Sequence, residues 1–181
     1  MSNMRTLISL AAILLVISML TTCSKDGDTD NNTVMQEIDC FGVYAQIPRK
    51  WRNTVQYTDY LYYESDTTGE GIGFERHEAD KEEYKEWEKQ VIETLEGEED
   101  LEHIELTKEV VDGRTVDRLD YEKHDKATGK KYYCASLRVK LEDDLIDIFY
   151  ISAEDPHVET FEKIVETIRI NERDADGITI Y

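Results

Sequence analysis

Four alternating apolar runs in the second half of the chain, separated by short turns, limit its fold more than any other feature. The run from Ile104 to Val111 meets Asp112-Gly113, a dipeptide that favours a two-residue hairpin turn, and a second run follows from Thr115 to Lys123. Two more runs follow, Tyr132 to Leu141 and Leu145 to Ser152. Connections this short join strands in antiparallel pairs. The sequence therefore predicts an antiparallel meander.

Three further strands are predicted before this meander. Phe41 to Ile47 alternates apolar and polar residues and stops at Pro48, and Val55 to Tyr63 is a tyrosine-rich run. Ile72 to His77 follows a turn at Asp66 to Gly69.

Two segments have the spacing of amphipathic helices. A capping-box start at Asp80 to Glu83 precedes an apolar stripe that ends before Gly97, formed by Tyr84, Trp87, Val91 and Leu95. The second helix is predicted to begin with Asp155 as N-cap and Pro156 at the first helical position, with a stripe of Val158, Phe161, Ile164, Val165 and Ile168. We expect an α+β fold, an antiparallel sheet of about six to seven strands flanked by two amphipathic helices.

Three short segments carry a family resemblance. Ile47 to Trp51, the hairpin Val110 to Arg114 and the closing stretch Phe161 to Val165 resemble the PsbP-like fold, and the layout is similar to that of small bacterial lipoproteins of the DcrB type. The similarity covers roughly Glu37 to Ile170. It implies a sandwich of sheet and helices, and an accessory or binding module without catalytic residues.

The first residues predict export and lipid attachment. Leu7 to Leu20 is an apolar stretch too short to span a bilayer, preceded by the single charge of Arg5. Leu20-Thr21-Thr22-Cys23 resembles the bacterial lipobox, which implies diacylglycerol on Cys23 and cleavage before it. The alternatives are an ordinary cleaved signal peptide and an uncleaved anchor.

This interpretation divides the chain into four parts. Residues 1–22 are the predicted signal peptide, 23–34 the lipidated cysteine with a flexible acidic leash, 35–170 a single α+β domain, and 171–181 a tail in which Ile178 to Ile180 are a candidate edge strand. The predicted location is the bacterial cell envelope, on the outer side of the cytoplasmic membrane or on the outer membrane.

Charge excludes several function classes. With 21 basic and 41 acidic residues the formal net charge is −20, so a nucleic-acid partner is excluded and the membrane is contacted through the lipid. The sequence has no Gly-x-Ser-x-Gly, no phosphate-binding glycine loop and no His-Glu-x-x-His. Among so many acids a carboxylate pair arises by chance. We therefore predict that the protein is not an enzyme.

Metal-ligand spacing occurs once, in the leash. Five residues occupy the positions one, three, five, seven and twelve of an EF-hand calcium loop. These calcium candidates are Asp26, Asp28, Asp30, Asn32 and Glu37. Position six is Asn31 rather than glycine, so a plain acidic leash is the other interpretation. The four histidines, His77, His103, His124 and His157, are predicted to be surface or structural, and no cofactor is expected.

Cys40 and Cys134 are the two cysteines left after lipidation. Strand alternation directs both to one side of the sheet. A disulfide between them would close a loop of about 95 residues and contribute up to ~4–5 kcal/mol. The other interpretation is two buried free thiols, and both remain open at this point.

Four aromatic residues form the candidate binding face, and they are Trp51, Tyr57, Tyr60 and Tyr62. Tyrosine buries apolar area and keeps a hydroxyl for a partner. The leading hypothesis is a lipid-anchored, non-catalytic accessory lipoprotein that binds an envelope protein through this face. The alternative is a small-ligand or cation-binding envelope lipoprotein.

Overall fold

A computed structural model describes residues 34–78, 93, 95, 97–142, 144–156 and 158–171. Within these ranges there are ten strands and one helix. They are β1 (Met35–Cys40), β2 (Val43–Pro48), β3 (Arg52–Gln56), β4 (Tyr60–Glu64), β5 (Gly71–Glu78), β6 (Leu101–Val111), β7 (Arg114–Asp125), β8 (Lys130–Lys140), β9 (Asp144–Ser152), α1 (Glu159–Val165) and β10 (Arg169–Ile170).

The described strands form two antiparallel sheets. The main sheet has seven strands in the order β3-β4-β5-β9-β8-β7-β6, and the small sheet has the order β1-β2-β10. The predicted meander is confirmed as β6 to β9. Its first turn is Asp112-Gly113, where both residues have positive φ, 49° and 75°. This is the backbone geometry that a two-residue hairpin requires.

The prediction of one strand beginning at Phe41 is wrong. Phe41 and Gly42 are instead a hairpin turn with φ of 60° and 87°, and Cys40 pairs with Val43 across it. The strand before this turn, β1, was not predicted. Phenylalanine is uncommon at positive φ, so the sequence pattern predicts that Phe41 belongs to a strand. In the structure the backbone reverses at this residue.

The predicted strand from Val55 to Tyr63 is two strands. β3 ends at Gln56 and β4 begins at Tyr60, and the Tyr57 amide donates to the Tyr60 carbonyl at 2.8 Å across the turn. This turn, Tyr57-Thr58-Asp59, contains neither glycine nor proline, and Asp59 is its single residue typical of turns, so the local signal is weak.

Both faces of the main sheet carry buried apolar residues. The first face packs against the small sheet and α1 through a cluster that includes Ile47, Phe74, Leu137, Ile148 and Phe161. The second face carries a smaller cluster, formed by Leu95, Leu101, Leu119, Tyr121, Tyr132, Cys134 and Ile151. The sandwich is therefore built mainly from two sheets, and α1 is the helix that the structure describes in full.

The helices differ from prediction. α1 begins at Glu159 rather than at Pro156, because Val158 has left-handed backbone with φ of 48°. Asp155 still caps it, since Asp155 Oδ2 accepts from the Thr160 amide at 2.9 Å. The helix predicted from Asp80 lies outside the described residues except for Glu93 and Leu95, which are helical.

The end of the described chain ties three elements together. β10 pairs with β2 through Arg169 and Ile170. The Ile170 amide donates to Asp112 Oδ2 at 2.8 Å, and the Asn171 amide donates to the Gly42 carbonyl at 3.0 Å. The small sheet, one hairpin turn of the main sheet and the segment after α1 are thus linked.

Several predictions fall outside the described residues. These are the signal peptide 1–22, Cys23, the leash before Val34, the calcium candidates Asp26, Asp28, Asp30 and Asn32, His157, and Ile178 to Ile180. Glu37, the fifth calcium candidate, lies on β1 opposite Gln46. In the part of the chain that the structure describes, no helix is long and apolar enough to cross a bilayer.

Candidate functional site

The second face of the main sheet carries a row of polar side chains at one register. On six neighbouring strands each member stands directly opposite the next. In order across the sheet, this polar row consists of Tyr60, Glu75, Asp147, Arg138, Asp117 and Lys108. The sheet therefore places charged groups where its other rows bury apolar ones.

The middle of the polar row is a buried ion pair. Arg138 Nε donates to Asp147 Oδ1 at 2.6 Å, and a second guanidinium nitrogen donates to Asp147 Oδ2. Arg138 is 7% exposed and Asp147 4%. Burial alone would raise the pKa of Asp147, but the charge and hydrogen bonds of Arg138 outweigh it and hold that pKa well below its usual range.

His77 joins this pair to Glu75. Its Nε2 lies 3.4 Å from Asp147 Oδ2 and 3.8 Å from Glu75 Oε2. Burial lowers the pKa of His77, but the hydrogen bond and charge of Asp147 raise it further, so the net direction is upward. Desolvation raises the pKa of Glu75 to about 7, which His77 opposes and Asp147 reinforces. Glu75 and His77 share a face as predicted, and Asp147 is the neighbour that the sequence did not identify.

Beside these charges lies an aromatic layer that two glycines make room for. The Phe149 ring lies between Tyr60 and Tyr62, with ring centroids 5.9 Å and 6.4 Å away. A Cβ on Gly73 would overlap the Phe149 ring, and one on Gly71 would overlap the Tyr62 hydroxyl. The rings therefore lie flat on β5 only because these two positions have no side chain.

Within the described residues, three buried polar atoms beside the aromatic layer make no hydrogen bond, although Glu75 Oε2 has His77 Nε2 3.8 Å away. The hydroxyls of Tyr60 and Tyr62 and Oε2 of Glu75 are buried and make no hydrogen bond within the part of the chain that the structure describes. We call these three residues the Tyr–Glu cluster. Leaving a buried polar group unpaired costs about 1–3 kcal/mol, so such groups are normally met by water or a ligand.

The predicted binding face is divided by the fold. Trp51 is 4% exposed and stacks on Tyr150 at 6.4 Å in the cluster between the sheets, so it does not lie on a surface. Tyr62 is 3% exposed, and Tyr60 is half-buried. Tyr57 is 69% exposed at the β3–β4 turn, where it lines a shallow depression with Gln56, Thr58 and Asp59.

Cys40 and Cys134 are buried free thiols. Cys40 belongs to the cluster between the sheets and Cys134 to the cluster on the second face. The predicted common side fails because the turn at Phe41 interrupts the alternation, so that Cys40 points with Val43. Burial raises the pKa of each thiol to about 12, which makes both poor nucleophiles.

Sequence reasoning did not single out Arg138, Asp147 or Asp117. Each lies within a predicted strand, at positions that alternate with the apolar residues of the first face. The usable signal was a charged residue in each of three consecutive strands of a meander, because antiparallel pairing places Asp117, Arg138 and Asp147 side by side.

The sequence matches no protein-family model and no curated protein. Among solved structures, one from Bacteroides thetaiotaomicron aligns with a TM-score of 0.53 at 7% identity, over 72% of this chain and 46% of that one. A Pseudomonas aeruginosa protein of unknown function gives 0.48 at 12% identity, over 74% and 94%. LpqN of Mycobacterium tuberculosis, involved in cell envelope biogenesis, gives 0.43 at 11% identity, over 75% and 91%. At such identities the Bacteroides likeness concerns the fold alone.

Glu75→Gln is expected to raise the free energy of unfolding by about 2 kcal/mol at pH 8 and to change it little at pH 5. The pKa of Glu75 is about 7 in the folded protein against an ordinary 4.5. Between these pH values the folded state therefore holds a proton that the unfolded state has released. Stability of the unmodified protein therefore falls as the pH rises from about 5 to 7. Glutamine resembles the protonated form at every pH.

Urea denaturation of both proteins at the two pH values measures this difference. Glu105→Gln, an exposed position on β6, is the matched control and should show no pH-dependent gain. An equal effect of Glu75→Gln at both pH values would contradict the assignment.

Proposed function

We propose that this protein is a lipid-anchored lipoprotein of the bacterial cell envelope whose domain is a non-catalytic binding module for a small, hydroxyl-bearing ligand. The anchor rests on Leu20-Thr21-Thr22-Cys23. The binding role rests on one observation, the three buried atoms of the Tyr–Glu cluster that make no hydrogen bond within the described residues.

The chemistry of the Tyr–Glu cluster favours a hydroxyl group as its partner. A tyrosine hydroxyl donates or accepts, whereas a carboxylate oxygen accepts only. One ligand hydroxyl can donate to Oε2 of the ionised Glu75 and accept from a tyrosine. Because Tyr60 stands directly opposite Glu75, such a group would meet both from one position.

A non-catalytic role fits the groups that surround the cluster. Arg138 and Asp147 bind each other, and both cysteines are held as buried, protonated thiols. Within the described residues the polar row thus offers ion pairs and hydrogen-bonding groups, which suit binding more than covalent chemistry.

Native mass spectrometry of the protein purified from its own membranes tests the binding role. We expect a bound small molecule that Tyr60→Phe combined with Glu75→Gln releases, while Tyr57→Phe, at the exposed turn, retains it. A spectrum with polypeptide alone, together with ordered water at all three atoms in a crystal structure, would overturn the ligand proposal.

The anchor has its own test. Cys23→Ala is expected to block lipid addition and cleavage, so that a precursor with residues 1–22 accumulates. The wild-type protein should begin at Cys23 and exceed the polypeptide mass by two or three acyl chains. Soluble, unlipidated protein beginning elsewhere would contradict the proposed location.

A protein partner is the second candidate, and the exposed Tyr57 favours it. An exposed aromatic residue at a hairpin tip is a typical contact for a partner. Pull-down from native membranes should then recover one partner that Tyr57→Ala weakens and Tyr133→Ala does not. Trp51→Ala is unsuitable here, since Trp51 belongs to the core.

A further inference from the structure

A mixed cluster of nitrogen and oxygen ligands lies at the open end of the β6–β7 hairpin, away from the Tyr–Glu cluster. Glu102 stands directly opposite Glu122, and His124 follows two residues later on the same face of β7. One ligand atom from each of these three residues lies within 4.8 Å of the other two. His124 Nε2 and Glu102 Oε2 are 3.2 Å apart.

These separations suit a transition-metal ion. With bonds of about 2.0–2.2 Å, two ligand atoms of a tetrahedral zinc ion are about 3.3–3.6 Å apart. The observed 3.2 Å between His124 and Glu102 is close to this value. Glu102 is exposed, so rotation of its side chain can bring its carboxylate closer to that of the half-buried Glu122. Two carboxylates and one imidazole also leave a fourth position open to water.

A bulge in β6 brings in further groups that hold one of the carboxylates. The register shifts between Glu102 and Glu105, and His103 in this bulge has φ of 53°. His103 Nδ1 lies 3.0 Å from Glu122 Oε2, and Lys131 Nζ forms an ion pair with the same oxygen. A metal-bound carboxylate is typically oriented by such outer contacts.

The two carboxylates of the cluster favour a bound cation. Two carboxylates directly opposite on neighbouring strands repel each other. Within the described residues Lys131 is the lysine that contacts this pair, through Glu122, whereas Glu102 is met by the imidazole of His124. A divalent cation between Glu102 and Glu122 would neutralise both.

We propose that Glu102, Glu122 and His124 form a zinc-binding site, with His103 and Lys131 as positioning residues for Glu122. The site is independent of the lipid anchor and of the Tyr–Glu cluster. It lies on the hairpin that also carries one end of the polar row, so metal binding would fix the open end of β6 against β7.

Isothermal titration of the purified, chelator-treated full chain with ZnCl₂ tests the site. We expect one saturable binding event, a higher unfolding temperature with zinc, and at least a ~10-fold weaker affinity in Glu102→Gln and in His124→Gln. Both changes are at exposed or half-exposed positions, so the fold should persist, which circular dichroism checks. Glu105→Gln, an exposed carboxylate on the same strand but outside the cluster, is the control and should bind zinc like the wild-type chain.

Competition with other metal ions tests whether His124 is a zinc ligand. Because imidazole favours zinc over hard cations, excess Ca²⁺ or Mg²⁺ should not displace zinc. Displacement by calcium would mean that carboxylates alone bind, and it would overturn the role of His124. Zinc binding that Glu102→Gln and His124→Gln leave unchanged would overturn the site, as would the absence of any zinc binding.

Discussion

Arg138→Ala is expected to lower the free energy of unfolding by about 3–5 kcal/mol. Arg138 supplies two hydrogen bonds to Asp147, and both residues are buried. Removing the guanidinium leaves a buried carboxylate without its main counter-charge. Its desolvation is then no longer offset, although His77 remains 3.4 Å away. Urea denaturation followed by circular dichroism measures the loss.

The loss should shrink as the pH falls. In the variant the pKa of Asp147 moves upward, because burial raises it and Arg138 no longer lowers it. Acid then protonates Asp147 and removes the buried negative charge. We expect the difference from the unmodified protein to be larger at pH 7 than at pH 4. A loss that grows toward acid pH would contradict this account.

Two controls separate lost charge from lost packing. Lys130→Ala, an exposed basic residue at the start of β8, should change stability little. Arg138→Met combined with Asp147→Leu removes both charges, and it should recover most of the loss, because a buried ion pair is often replaceable by apolar side chains. If the double variant is as unstable as Arg138→Ala, the ion pair is not the cause.

Gly73→Ala is expected to be the second large effect, a destabilisation of about 2–3 kcal/mol. The added methyl group would overlap the Phe149 ring, which lies between Tyr60 and Tyr62. Three strands would have to shift to relieve it, since Gly73 on β5 pairs with Tyr62 on β4 and with Phe149 on β9. Thermal or urea unfolding gives the measurement.

A double-variant cycle isolates the contact. Phe149→Leu replaces the ring with a smaller side chain, so Gly73→Ala should cost at least 1 kcal/mol less, roughly, in that background. Equal costs in both backgrounds would show that glycine is needed for its backbone and not for the space above it.

The turns explain how much of the fold the sequence predicts. Asp112-Gly113 and Gly129, in the turn between β7 and β8, are residues suited to positive φ, and the strands on either side were predicted with nearly the observed bounds. The turn at Phe41 and the one at Tyr57 carry side chains typical of strands. Prediction from strand propensity therefore merged β3 with β4 and missed β1. The chain reverses at these turns because of pairing between strands, which local propensity does not describe.

The candidate site was harder to predict for a different reason. Alternation places Tyr60 and Tyr62 on one face, which is confirmed, but it does not say whether that face is exposed. What buries Tyr62 is a neighbouring strand without side chains at Gly71 and Gly73, and strand order is not local information. The polar row has the same origin, since it exists only once six strands are placed side by side.

The pairing of β10 with β2 bears on the order in which the protein folds. β2 comes from the beginning of the described domain and β10 from its end, so the small sheet is completed only after the last strand has been synthesised. Contacts between such distant segments form late and slowly. Nascent chains that end before Arg169 should therefore lack the closed sandwich. For a chain predicted to be exported, this delay would extend the time during which it remains unfolded and able to cross a membrane.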